Sequence, residues 1–181
     1  MKNKPISCPS FVLLSVSAGI LYFFSNPNPQ HYYDYTFRVA ANFLRGQIGF
    51  TVPQPSWLNE FVLFDGSYYS VFPLGSVLSM LPFAFLQTIG LIDNMPGAFI
   101  AALCAAVSCV FLLLFARRYD VSNTRRLLMT FGILFGTWTW TNLTMAGAWQ
   151  LALGFALVGE LGAIYFTVYD RRPLFAGIFF A

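Results

Sequence analysis

Charge is what this sequence has least of. Lys, Arg, Asp and Glu make up 9% of its 181 residues, against 57% hydrophobic and 19% aromatic residues. A soluble domain carries about 25% charged residues, so this composition argues for a membrane protein. Histidine is almost missing as well. His31 stands alone, makes no metal site by itself and reads as a surface residue. Cysteine is scarce: Cys104 and Cys109 share one apolar run and Cys8 opens another, with no metal-ligand spacing. They read as small buried hydrophobes. A net charge of +3 is too small to argue for nucleic acid as a partner.

What the chain does have is apolar runs. Its 21 Phe suit a lipid-facing surface, and its length fits one membrane domain. The expected fold class is all-α, a polytopic transmembrane helix bundle with an outer loop of interfacial helices and a short hairpin. Candidate segments lie at 8–24, 73–90, 97–116, 127–144 and 148–169. A crossing helix needs about 20 residues, and a further segment begins at Pro173 but stops at Ala181. The reading is therefore a truncated protein, the alternative being a natural stub. Met1-Lys2-Asn3-Lys4 before an apolar core looks like a signal peptide. No small-x-small cleavage site follows, so it reads as an uncleaved first membrane helix.

Basic residues fall in three groups: Lys2 and Lys4, then Arg117, Arg118, Arg125 and Arg126, then Arg171 and Arg172. If all five segments crossed, the arginine loop would lie outside, against the positive-inside bias. If 73–90 stays at the outer interface, all three groups become cytoplasmic and only Arg38 and Arg45 remain outside. Pro73, Pro82, Gln87 and Gly90 favour that second arrangement for a short, proline-interrupted segment. The outer loop then covers 25–96, with 97–116, 127–144 and 148–169 as crossings. The N-terminus is expected in the cytoplasm, and a bacterial cytoplasmic membrane is the expected location.

Three of the seven acids, Asp34, Glu60 and Asp65, lie in this outer loop among Tyr32, Tyr33, Tyr35, Trp57, Tyr68 and Tyr69. Residues 33–46 show an amphipathic helical pattern, with Phe37, Ala40, Ala41 and Leu44 on one face and Arg38 four residues after Asp34. Such a helix is expected to lie flat on the membrane, stopping at Gly46. Asp34 opens it, either as a residue favoured by the helix dipole or as a carboxylate poised for general-base work. Asp65-Gly66 between two β-prone runs signals a two-residue hairpin. Asp65 is then a turn residue, and Tyr68 and Tyr69 are interfacial aromatics or rings on which a sugar can stack. Glu160 stands near the middle of 148–169. An intramembrane acid is either functional or a protonated group bonded to a neighbouring helix.

The run Asp34-Tyr-Thr-Phe-Arg-Val-Ala-Ala-Asn-Phe-Leu-Arg-Gly46, then Asp65-Gly-Ser-Tyr-Tyr-Ser-Val-Phe-Pro-Leu-Gly75 and a proline-broken apolar segment, carries a resemblance. It resembles the start of the GT-C superfamily of polytopic glycosyltransferases, which includes protein mannosyltransferases and lipid A aminoarabinose transferases. The resemblance implies that a sugar moves from a polyprenyl-phosphate donor to an acceptor on the outer face. Asp34 matches the family's catalytic loop aspartate. Arg38, Arg45, Asp65, Tyr68 and Tyr69 are the implied substrate-binding residues. Implied partners are the lipid bilayer and the polyprenyl-phosphate sugar donor, with no nucleic acid. Several branches place acids in the second outer loop, whereas this chain has Trp138, Trp140, Asn142, Trp149 and Gln150 there. A divalent metal is thus an optional cofactor, and no other is implied. Two rival readings are a small transporter or flippase, which would show an internal repeat, and a non-catalytic membrane protein.

Overall fold

The computed structural model describes residues 7–27, 33–55 and 60–180. His31, Tyr32, Trp57, Lys2 and Lys4 lie outside the described residues. Among the described residues the fold is mostly helical with one small sheet. In order the elements are α1 (Cys8–Phe24), α2 (Tyr35–Leu44), β1 (Phe61–Phe64), β2 (Ser67–Ser70), α3 (Leu74–Leu78) and α4 (Leu81–Thr88). Then come α5 (Gly97–Arg117), α6 (Asn123–Gly136), α7 (Trp138–Met145), α8 (Ala148–Ile164), a π turn (Tyr165–Tyr169) and α9 (Pro173–Phe180). Among the described residues two stretches, Gly97–Arg117 and Ala148–Tyr169, are long and apolar enough to cross a membrane.

Local chemistry sets the boundaries. Ser7 caps α1 by accepting from the Ser10 backbone N–H at 3.4 Å, and Ser122 caps α6 in the same way through Arg125. Asp170 N–H reaches back five residues to Tyr165 O at 3.1 Å, closing the π turn, and Arg171 at φ 50 ends it.

Helix α5 is the hub, with α1, α6 and α8 packed on it. Small side chains let α1 approach. A Cβ added at Gly19 would lie 3.0 Å from the Ala102 carbonyl oxygen and 3.3 Å from Ala106 Cβ. Ser15, Ala18, Gly19 and Tyr22 form the buried stripe of α1. Tyr22 is fully buried, with its ring centroid 4.9 Å from that of Trp140 and 5.4 Å from that of Phe135. Its hydroxyl donates to the Leu134 carbonyl of α6.

Over one end of these helices lies a layer of α2, α3, α4 and the hairpin. Here the structure departs from three expectations. First, α2 is not a surface helix with a single inward face. Phe37, Ala40 and Ala41 are buried as the pattern requires, but so are Tyr35, Thr36, Val39 and Asn42, because α3, α4 and α8 all pack against it. Leu44, assigned to the apolar face, is instead exposed. Second, 73–90 is two short helices rather than one interrupted helix. The chain breaks at Ser79-Met80, Met80 is fully buried, and Pro82 sits in the first turn of α4, where proline starts a helix rather than kinking it. At 1.5 Å per residue, five and eight residues rise only about 8 and 12 Å, far short of a roughly 30 Å hydrocarbon core. Third, 127–144 is not continuous. Thr137 is extended (φ −122°, ψ −179°), and its hydroxyl donates to the Ile133 carbonyl at 2.6 Å while capping Thr139 N–H at 3.3 Å. One threonine thus ends α6 and starts α7.

The hairpin pairs Phe61 with Ser70 and Phe64 with Ser67, antiparallel. Asp65 (φ 44) and Gly66 (φ 74) both take the left-handed conformation, as a two-residue primed turn requires.

Candidate functional site

The site grows from the point where the loop at 33–35 meets the start of α8. Tyr33 O accepts from the Ala148 backbone N–H at 2.8 Å, which fastens the loop to α8. Asp34 occupies the N-cap position of α2, yet its side chain makes no capping bond. Its Oδ1 accepts instead from Arg38 Nε at 2.7 Å, one helical turn on. The Asp34 side chain is 16% exposed and that of Arg38 40%. This is a partly desolvated, oriented carboxylate, which separates it from an ordinary cap.

Tyr35 is the centre of the cluster. It is buried, with ring centroids of Tyr33 at 6.0 Å, Phe72 at 6.2 Å and Phe61 at 6.5 Å. Burial pushes its phenol above the ordinary value, and the negative fields of Glu60, Tyr33 and Asp34 push it the same way. Glu60 is itself held. Its Oε1 accepts from the Trp149 indole N–H at 3.0 Å, and the Trp149 ring lies 4.2 Å from that of Phe72. Two carboxylates, from 34 and 60, therefore act on one buried phenol beside a pair of large aromatic rings.

The other residues expected at the site are spread out. Arg45 closes α2 and is exposed, about 16 Å along the helix from Asp34 at 1.5 Å per residue. Asp65 is at the hairpin tip, about 13 Å out from Phe61 at 3.3 Å per residue. Tyr68 exchanges backbone hydrogen bonds with Phe50 at 2.9 and 2.8 Å. The Tyr69 ring covers Gly49, where an added Cβ would meet Cε1 at 3.0 Å. So Asp34 and Arg38 are brought together, while Arg45 and Asp65 sit apart from them.

Below the cluster runs a groove of about 650 Å³ between α3, α8 and α9. Ser76 of α3 and Ser79 just after it line the groove, together with Phe155 and Glu160 from α8 and Phe179 from α9. Trp149 belongs both to this lining and to the Glu60 contact. Among the described residues Glu160 is the one charged side chain in the wall, about 16 Å along α8 from Trp149. Among the described residues no three His, Cys, Asp or Glu side chains converge into a metal-binding group.

The cluster can accept a proton at a carboxylate and offer the exposed Trp149 ring as a stacking face, with Phe72 buried behind it. Glu60 and Trp149 are the site residues that sequence reasoning did not assign. Glu60 could be counted among the loop acids, but no local pattern links it to an indole 89 residues away. Comparison with protein-family models, with curated proteins and with solved structures finds no match for this chain.

Proposed function

We propose that the chain carries the outer layer of a polytopic membrane glycosyltransferase, which moves a sugar from a polyprenyl-phosphate donor to an acceptor hydroxyl. The observation that supports it most is the placing of Asp34 and Glu60 around Tyr35, at the end of an apolar-walled groove that begins at Trp149. The acceptor oxygen attacks the anomeric carbon, the bond from that carbon to the phosphate oxygen breaks, and polyprenyl phosphate leaves with the electron pair. Asp34 takes the hydroxyl proton on Oδ2, since Oδ1 is held by Arg38. Arg38 lies close enough to share the charge of the departing phosphate, and guanidinium suits phosphate geometry.

In this reading α1, α5, the α6–α7 pair and α8 cross the bilayer. End to end, α6 and α7 (14 and 8 residues) rise about 33 Å, whereas α3 and α4 (5 and 8 residues) rise only about 20 Å and stay at the outer interface. The three basic groups then share the cytoplasmic side. An inner-membrane, multi-pass location with a cytoplasmic N-terminus follows from that charge distribution.

The test is sugar transfer by Asp34→Asn. Asparagine keeps an oxygen for Arg38 but accepts no proton, so transfer should fall by about 10²–10⁴-fold at unchanged protein level. Asp65→Asn, at the hairpin turn, serves as the control and should stay near the parental rate. Parental transfer by the Asp34 variant would sink the assignment. A transporter reading draws on Glu160 in the groove wall. Loss of substrate movement in a normally expressed Glu160→Gln variant, with glycosyl transfer absent from the parent, would favour it.

A further inference from the structure

The end of the helices away from Asp34 gathers six arginines that glycosyl transfer does not use. Arg117 and Arg118 close α5, Arg125 and Arg126 lie in the first turn of α6, and Arg171 and Arg172 separate the π turn from α9. Side-chain contacts join the three groups. Arg118 Nη2 donates to the Tyr165 hydroxyl at 3.2 Å, and its guanidinium carbon lies 5.6 Å from the Tyr165 ring centroid and 5.7 Å from that of Tyr169. The Tyr119 and Tyr169 hydroxyls meet at 3.1 Å, and Arg126 Nη2 donates to Tyr119 O at 3.1 Å.

The local charge is unbalanced. Asp120 and Asp170 are the acids in these segments, and among the described residues only Arg172 is ion-paired there, with Asp170 at 2.9 Å. Arg126 is 4% exposed, is held by the Asn123 side chain and the Tyr119 carbonyl, and leaves its buried Nε without a hydrogen-bond partner. A buried guanidinium without a counter-charge is costly, and an anion beside it removes the cost. The N-terminus of the 14-residue α6 adds its positive end at the same place.

We infer that this end binds the phosphate-bearing headgroup of an anionic phospholipid. Arg118 is the oriented fork, fixed by two phenol rings, and Arg117, Arg125 and Arg171 supply surrounding charge. A lipid fits better than a soluble phosphate because the same helices expose Leu128, Met129, Val168 and Leu174 next to the arginines. A headgroup on the guanidiniums places its acyl chains along that apolar surface. The inference rests on the membrane reading above and not on the glycosyltransferase chemistry.

The experiment uses the whole chain purified in a neutral detergent, with short-chain phosphatidylglycerol and phosphatidylcholine as probes and native mass spectrometry as the readout. Phosphatidylglycerol should bind about tenfold tighter than phosphatidylcholine, as a few basic residues at an anionic surface provide. Arg117→Gln together with Arg125→Gln changes two exposed side chains that make no hydrogen bond or ion pair among the described residues, so the fold is kept. That variant should lose most of the preference while phosphatidylcholine binding stays the same. Arg118→Lys keeps the charge but removes the fork, and should weaken phosphatidylglycerol binding too. Equal binding of both lipids, or an unchanged preference in the double variant, overturns the inference. Complete displacement of phosphatidylglycerol by millimolar inorganic phosphate overturns it as well and assigns the site to a soluble anion. A chain that stays monodisperse without detergent would sink the membrane reading itself, which is a separate result.

Discussion

Asp34 shows how a position and a role can come apart in one residue. It stands where a helix cap belongs but spends its carboxylate on Arg38. The sequence suggested the Asp34–Arg38 spacing, since residues four apart share a helix face. It gave no hint that Tyr35 would be buried between Asp34 and Glu60, because that depends on a strand and a helix brought in from elsewhere. Tyr35 offers a pH test. Its phenol is raised in the folded chain, first by burial, so the fold favours the neutral form. The stabilisation is complete below the unfolded value of about 10 and is lost as the pH rises from there through the folded value. Tyr35→Phe should therefore flatten the alkaline fall in stability followed by thermal unfolding in detergent, and an unchanged slope would refute the burial argument. The Glu60–Trp149 contact has its own test. A double-mutant cycle with Glu60→Ala and Trp149→Phe should show a coupling of about 0.5–1.5 kcal/mol, and strict additivity would mean the bond contributes nothing.

At the scale of elements, the α1–α5 crossing depends on having no side chain at Gly19. Backbone oxygen lies where a Cβ would go, and backbone does not move aside cheaply. Gly19→Leu should destabilise by about 1–3 kcal/mol through overpacking. Gly132→Ala, in α6 with nothing near its Cβ position, should be neutral or stabilising by up to about 1 kcal/mol. Thermal unfolding of the two variants side by side checks the crossing, and equal midpoints would contradict it. The hairpin was the most legible element, because Asp65-Gly66 is a local signal that asks nothing of distant residues. The break at Thr137 was hidden inside an apolar run. Hydropathy is blind to a hydroxyl that competes for a backbone carbonyl, and only the Ile133 contact shows it. The burial of α2 on nearly all sides was hidden for a similar reason: its periodicity reported one packing partner, and it has several.

For the molecule as a whole, the decisive question is which segments cross. A cysteine at Ser122 should resist an impermeant outer-face thiol reagent, while cysteines at Ser67 and Asn94 should label. Protection at 94 with labelling at 122 would place the α3–α4 segment across the bilayer and invert the arrangement. The proposed topology is read from charge counts along the chain, and the thiol labelling tests it. The groove was not legible in the sequence, since its walls come from residues 73–79, 149–163 and 178–180. The Tyr22 contact carries a consequence for the order of assembly. The last carbonyls of a helix lack partners within it. In α6, two of them are served from outside the helix, Ile133 by Thr137 and Leu134 by Tyr22, which was synthesised 112 residues earlier. The end of α6 is therefore finished only when the first helix of the chain has waited beside it. A chain in which α1 has drifted away before α6 is made would leave that end incomplete.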